Sequence, residues 1–250
     1  MLKRITLLRD KAEDWDVYPF NVPAIHSLSS LDLSSRICFF AGENGSGKST
    51  LLEAIAANYG FGPEGGNRNF VAVNTTTSNR SIDPLKNCLR LSFDKRTGQG
   101  FFLRAESLFN TATYVDVISA SEFYGGMSLH ARSHGESFFT VLEQKCQRDG
   151  LYLLDEPEAA LSPQRQLAFL VLMYDTVRRQ KDAQFIISSH SPLLLGYPGA
   201  LLLSFDGDHI RQANYEDLKS VQITRRFLNQ REHFLQQLLQ EPSRLFPDKE

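Results

Sequence analysis

Short apolar runs, each broken by a glycine-rich or acidic turn, set the pattern of this chain. Arg36–Ala41 (Arg-Ile-Cys-Phe-Phe-Ala), Leu151–Leu154 and Gln184–Ser188 are apolar at successive positions rather than alternate ones. Strands buried on both faces read this way. Leu2–Leu8 and Val17–Val22 read as further strands, the second with prolines at its edges. Leu89–Phe93 and Phe101–Arg104 flank the turn Asp94–Gly100, so the pattern predicts a hairpin there. Asp206-Gly207 predicts another, between Leu201–Phe205 and His209–Arg211.

Helical stretches alternate with these runs. Ser49–Asn58 is closed by Gly60 and Gly62, and Gly62–Asn69 reads as a loop. Ser137–Arg148 reads as a helix with Gly150 just past its end. Ser162-Pro163 pairs a capping serine with a first-turn proline and opens a helix to about Gln180. Its residues Leu167, Leu170, Val171, Tyr174 and Val177 keep helical spacing. From Ile223 to Gln240 the tail is amphipathic, with Phe227, Leu228, Leu235, Leu238 and Leu239 on one face. The expectation is a single α/β domain, residues 1–222 forming its core and 223–250 a helical tail. There is no internal repeat, heptad array or low-complexity tract.

Composition narrows the class. The 250 residues are 42% hydrophobic and 22% charged, close to a soluble globular average. The formal net charge of -2 gives no strongly basic surface for nucleic acid. Arg225, Arg226 and Arg231 offer at most a local patch on the tail. Cys38, Cys88 and Cys146 are odd in number and widely spaced, which argues against a disulfide framework or zinc site and fits a reducing cytoplasm. No export signal is visible at the start. The most apolar stretch, Phe185–Phe205, contains His190, Pro192 and Pro198, so no membrane insertion is expected.

The strongest chemical signal is Gly42-Glu43-Asn44-Gly45-Ser46-Gly47-Lys48-Ser49-Thr50, which fits G-x-x-x-x-G-K-[ST] between a predicted strand and a predicted helix. Gly42 permits a sharp exit from the strand. Gly45 and Gly47 let backbone N–H groups close around phosphates. The helix start adds its positive dipole end. Lys48 is placed to reach the β- and γ-phosphates, and the Ser49 hydroxyl to coordinate Mg²⁺.

The run Leu151–Leu154 ends in Asp155-Glu156-Pro157-Glu158. Asp155 is placed to hold the Mg²⁺ shell, and Glu156 to accept a proton from an attacking water. Glu158, beyond Pro157, reads as a solvated cap. Phe185–Ser189 is a second apolar run, ending at His190, a candidate contact to the γ-phosphate. Ser133-His134-Gly135-Glu136-Ser137 presents a hydroxyl and N–H groups at a predicted helix start. The phosphate loop already wraps one side of a nucleotide. A second anion-binding helix end therefore makes most sense if it serves the nucleotide of another copy.

In order along the chain, these motifs and the turn Ala159-Ala160-Leu161-Ser162 resemble an ABC-type ATPase over roughly Ile37 to Pro192. The resemblance makes Gly42–Thr50 the Walker A loop and Asp155-Glu156 the Walker B pair. Ser133 and Gly135 stand at the signature, although Ser-His-Gly-Glu-Ser departs from the transporter form. His190 takes the switch position. No clear Q-loop glutamine is present, and Glu106 occupies its place as a candidate metal contact. Tyr18 and Phe20 are candidates for adenine stacking. The wording is similar to small stand-alone ATPases of the RecF, SMC and AAA-type ABC branch.

The implied fold is an α/β P-loop NTPase of ABC ATPase type. It has a mixed sheet flanked by helices, a short helical insertion and an amphipathic C-terminal helix. The implied activity is cytoplasmic, Mg²⁺-dependent ATP hydrolysis in a head-to-tail homodimer. Each site would take Lys48, Ser49, Asp155, Glu156 and His190 from one chain, and Ser133 with Gly135 from the other. The stretch from Glu106 to Ser133 is too short for a coiled-coil arm and disfavours a transporter's larger helical subdomain. DNA maintenance and phage defence both fit. The rivals are a transporter's nucleotide-binding subunit and a nucleotide-gated switch for DNA or an effector protein.

Overall fold

A computed structural model describes residues 1–62, 81–105 and 134–240. Two sheets share a helix between them. The larger has six strands in the order β5 (Gly100–Arg104), β6 (Leu151–Asp155), β7 (Gln184–Ser189), β3 (Ile37–Ala41), β8 (Leu201–Ser204) and β9 (Arg211–Gln212). All its neighbours are parallel except β8 with β9, which turn back through Asp206-Gly207 as expected. The smaller is antiparallel, in the order β2 (Ser30–Asp32), β1 (Leu2–Leu7) and β4 (Leu89–Phe93).

Side chains alternate across the larger sheet, so its apolar runs feed two cores. Cys38, Phe40, Leu153 and Ile186 face the helix α2 (Lys48–Tyr59) and, beyond it, Ile5 and Leu7 of the small sheet. Phe39, Tyr152, Leu154, Phe185 and Ile187 face the other way, onto Phe138 and Leu142 of α4 (His134–Lys145) and Phe169 and Met173 of α5 (Pro163–Arg179). Helix α2 is buried along Leu51, Leu52, Ala54, Ile55, Ala56 and Tyr59, which fits a helix packed between two sheets. Gln184 ties the sheets together. Its Oε1 accepts from Leu2 N at 2.8 Å, and its Nε2 donates to Leu2 O at 2.9 Å and Leu33 O at 2.7 Å.

Four local expectations change. Val17–Val22 is a turn that leads into the one-turn helix α1 (Pro23–His26). The predicted hairpin of Leu89–Phe93 with Phe101–Arg104 does not form, because β4 pairs with β1 and β5 with β6. On α5 the buried residues are Gln166, Phe169, Met173 and Thr176, while Leu167, Val171 and Tyr174 are exposed. The tail is two helices, α7 (Lys219–Asn229) and α8 (Arg231–Gln240), broken where Gln230 leaves helical geometry at φ -138° and ψ 45°.

Two short helices, α3 (Asp83–Cys88) and α6 (Pro192–Leu195), were not anticipated. Of the tail arginines, Arg225 pairs with Glu216, and Arg226 lies over the Phe234 ring and donates to Gln237. Among the described residues no helix is long and apolar enough to cross a membrane.

Candidate functional site

Strands β3, β6 and β7 end side by side, and each hands its next residues to one cleft or its rim. After Ala41 the chain turns through the glycine-rich loop into α2. Gly47 has φ +97°, and a Cβ there would stand 2.8 Å from Val22 Cγ1, so a side chain is excluded on both counts. Gly45, at φ +80°, has nothing within 4 Å of where its Cβ would be, so the loop is open on that side. Asp206 Oδ1 accepts the Glu43 N–H at 3.0 Å and anchors the loop from β8's end. The Ser46 hydroxyl is buried without a hydrogen-bond partner.

Lys48 is buried, and its Nζ donates to Glu43 O at 2.7 Å. Burial pushes its ammonium below the ordinary lysine range, against the pull of Glu156, Asp155, Glu158 and Asp206. Ser49 Oγ donates to Asp155 Oδ1 at 2.8 Å. This bond joins the phosphate loop to the acidic strand end. Ser188 Oγ also donates to Asp155 Oδ1. Glu156 stands at φ +47°, ψ 54°, a left-handed conformation that is rare for a residue with a Cβ. Its N–H donates to Ser188 O at 3.1 Å, which holds the turn and aims the side chain at the cleft. Burial pushes the Glu156 carboxyl above the usual range, against the attraction of Lys48.

The cleft has a volume of about 320 Å³ and takes in Asn44, Gly45, Gly47, Lys48, Ser49, Thr50, Asp155 and Glu156. Tyr18 is on its wall, half exposed, with its hydroxyl 3.2 Å from Thr50 Oγ1. Phe20 is buried, 5.3 Å from Trp15 between ring centroids. Of the two stacking candidates, only Tyr18 is available to a ligand.

His190 lines an adjacent cleft of about 430 Å³, which shares Asn44 with the first. Its Nδ1 stands 3.2 Å from Glu158 Oε1. Glu158 is not a solvated cap. Its side chain is only 6% exposed, because it folds back under the end of β7. There Oε1 accepts from Ser189 Oγ at 2.8 Å, His190 N at 2.7 Å and Ser191 N at 3.2 Å. Gly135 is in the first turn of α4. Ser133 and Glu106 lie outside the described residues.

Two residues of the site escaped the sequence reading. Arg104 ends β5 directly beside Asp155 in register, and Glu53 faces it from α2. The signal was present, since Phe101–Leu103 ends in a charged residue just as Leu151–Leu154 does.

Residues 137–196 match the family described as "AAA domain, putative AbiEii toxin, Type IV TA system". The matched segment runs from α4 through the acidic strand to α6 and takes in Asp155, Glu156 and His190.

This is the fold of an ABC-type P-loop ATPase.

It is the strand order, the glycine-rich loop before α2 and the acidic end of β6 that make it so, as the motif resemblance implied. Among solved structures, the chain is similar to the SMC head domain from Thermotoga maritima. Identity is 17%, with 85% of this chain and 98% of that chain covered and a TM-score of 0.46. It is also similar to cbiO1 from Clostridium perfringens, part of the ABC transporter complex cbiONQ. Identity there is 16%, with 84% and 92% covered and a TM-score of 0.43. No curated protein matches the chain.

Proposed function

We propose that this chain binds ATP with Mg²⁺ and hydrolyses it to ADP and phosphate, and that two chains close head to tail around two nucleotides. The observation that carries the reading is the 2.8 Å bond from Ser49 Oγ to Asp155 Oδ1. It brings together a hydroxyl and a carboxylate, a pair of the kind that could hold such an ion next to Lys48.

The donor set suits the group. Among the described residues no cluster of three histidines, cysteines or carboxylates forms a metal cage. Mg²⁺ rarely uses such a cage and takes one or two protein oxygens together with phosphates and water. Ser49 and Asp155 would hold it, and its charge would offset that of the phosphates when bound. The unpartnered Ser46 hydroxyl and the open side of Gly45 suit a phosphate chain. Lys48 would move from Glu43 O to the β- and γ-phosphates, Asn44, Gly47 and Thr50 would shape the cradle, and Tyr18 would stack on the base.

Glu156 would take the proton of the attacking water. A raised pKa makes it a stronger base once ionised. His190, held through Nδ1 by Glu158, would turn Nε2 toward the γ-phosphate. That atom carries a hydrogen to donate when the ring is protonated. Ser133 and Gly135 of a second chain would close the site, and Glu106 would contact the metal. The matched family's description names a toxin of a type IV toxin–antitoxin system. On that basis we assign the ATP cycle to phage defence rather than to transport.

Calorimetric titration of ATP into the purified chain, with and without Mg²⁺, tests the reading. Wild type is expected to bind and Lys48→Ala is not. Equal binding by both removes it.

A further inference from the structure

Asp155 has two oxygens, and different partners use them. Oδ1 accepts from Ser49 and Ser188. Oδ2 faces Arg104, whose Nε is 3.3 Å away. That Nε is buried and makes no hydrogen bond, so the contact with Oδ2 is electrostatic rather than an aligned hydrogen bond. The other arm of the guanidinium, Nη2, is engaged by Glu53 Oε1. Arg104 is thus a cation held between two carboxylates, of which Asp155 also accepts from the phosphate-loop serine Ser49.

The backbone fixes this placement. Arg104 and Asp155 are paired residues at the ends of neighbouring parallel strands. Glu53 is four residues after Ser49 on α2, hence on the same helical face. All three side chains are largely buried, at 23%, 5% and 12% exposure for Arg104, Asp155 and Glu53. Breaking a buried ion pair normally leaves an uncompensated charge. Here the second carboxylate removes that penalty for Arg104, and a dication would remove it for Asp155.

We propose that Arg104 is a positioning residue that competes with the divalent ion for Asp155. Its guanidinium steadies the carboxylate and raises the Mg²⁺ concentration needed for nucleotide binding, and Glu53 is the anchor that draws it aside as the ion enters. This rests on the nucleotide reading above and deepens it, because it makes metal entry a tuned exchange of one cation for another. A purely structural bridge from α2 to the sheet would use the same two contacts. It would not shift metal demand in opposite directions when its two ends are altered.

The test is binding of a fluorescent ADP analogue to the full chain, started in a chelator and titrated with Mg²⁺. Arg104→Met removes the competing charge and should lower the half-saturating Mg²⁺ about tenfold, the scale of one partly screened charge pair. Glu53→Gln weakens the anchor, leaves the guanidinium on Asp155 and should raise it. Mg²⁺ with the analogue should also lift the melting temperature of Arg104→Met more than that of wild type. If Arg104→Met does not fold, Glu53→Gln carries the test, and an unchanged or lowered midpoint overturns the proposal. So does a folded Arg104→Met whose midpoint stays put or rises. Wild type that binds no analogue with Mg²⁺ sinks the nucleotide reading and this proposal together. Binding with unmoved midpoints sinks only the role of Arg104.

Discussion

Glu158 Oε1 accepts the backbone N–H of His190 at 2.7 Å, and the same oxygen stands 3.2 Å from that residue's Nδ1. One carboxylate, reached through Pro157 from the end of β6, therefore sets both the main chain and the ring of the residue that follows β7. Ser189 Oγ and Ser191 N converge on it as well. The acidic turn and the histidine turn are mechanically one unit.

Glu158→Ala is accordingly expected to take the acceptor from Ser189 Oγ and His190 N, while Ser191 N keeps Ser189 Oγ at 3.1 Å, and to cost about 1–3 kcal/mol of stability. Glu158→Gln keeps an acceptor and should cost less. Its hydrolysis should still fall, because the imidazole loses the charge that orients it. Denaturant melts and turnover assays of both variants check this. A Glu158→Ala midpoint equal to wild type would show that the turn does not depend on this carboxylate.

The two perturbed groups in the cleft give opposite pH signatures. The folded-state pKa of Glu156 is raised above 4.5 by burial. The stability this carboxyl contributes is therefore present below 4.5 and lost as pH rises through the folded value. Above that value the shift is a cost to the free protein, so Glu156→Gln should melt higher than wild type at neutral pH, and the gap should close in acid. The folded-state pKa of Lys48 is lowered below 10.5 by burial. Its contribution is present above 10.5 and lost as pH falls through the folded value, so Lys48→Met should likewise stabilise the free protein at neutral pH. Nucleotide affinity of wild type should weaken on the alkaline side before an ordinary lysine would titrate. Melts and binding curves taken from about pH 4 to about 11 read both signs.

Gln184 predicts a purely structural effect. Its amide satisfies both backbone groups of Leu2 from the other sheet, so Gln184→Leu leaves a buried N–H and a buried C=O unpaired. A loss of about 2–4 kcal/mol is expected, with nucleotide binding retained in the fraction that folds. A melt unchanged from wild type would contradict the picture of the two sheets pinned at this point.

The chemistry was more legible in the sequence than the pairing of strands. Gly42–Thr50 and Asp155-Glu156 were readable because phosphate loops and acidic strand ends depend on residue type at fixed spacing. The predicted hairpin failed because turn residues between two apolar runs say that the chain reverses, not that the runs pair. Leu89–Phe93 alternates, as a strand on a half-covered antiparallel sheet does, while Phe101–Leu103 is continuously apolar, as a buried parallel strand is. The β5–β6 pairing also requires glycine at position 100, since a Cβ there would come 2.0 Å from Leu151 O.

On α5 the apolar stripe misled because two core positions are polar yet satisfied. Thr176 Oγ1 donates to Cys146 O at 2.8 Å, and Gln166 Nε2 to Leu161 O at 2.9 Å. Buried polar side chains with partners look like surface residues in a sequence. For the same reason Glu158 read as solvated. The donors it serves lie on a strand about thirty residues away in the chain, beyond the reach of local patterning.

The most direct test of the account is single-turnover hydrolysis with wild type and Glu156→Gln, following phosphate release and bound nucleotide together. Wild type with Mg²⁺ is expected to release phosphate and then ADP. Glu156→Gln keeps the shape but cannot take the proton, so its hydrolysis should fall about 10²–10⁴-fold while ATP stays bound. That ATP-bound form should accumulate as a dimer in light scattering. Phosphate release by Glu156→Gln at the wild-type rate, or no ATP binding by wild type at any Mg²⁺ concentration, would contradict the account.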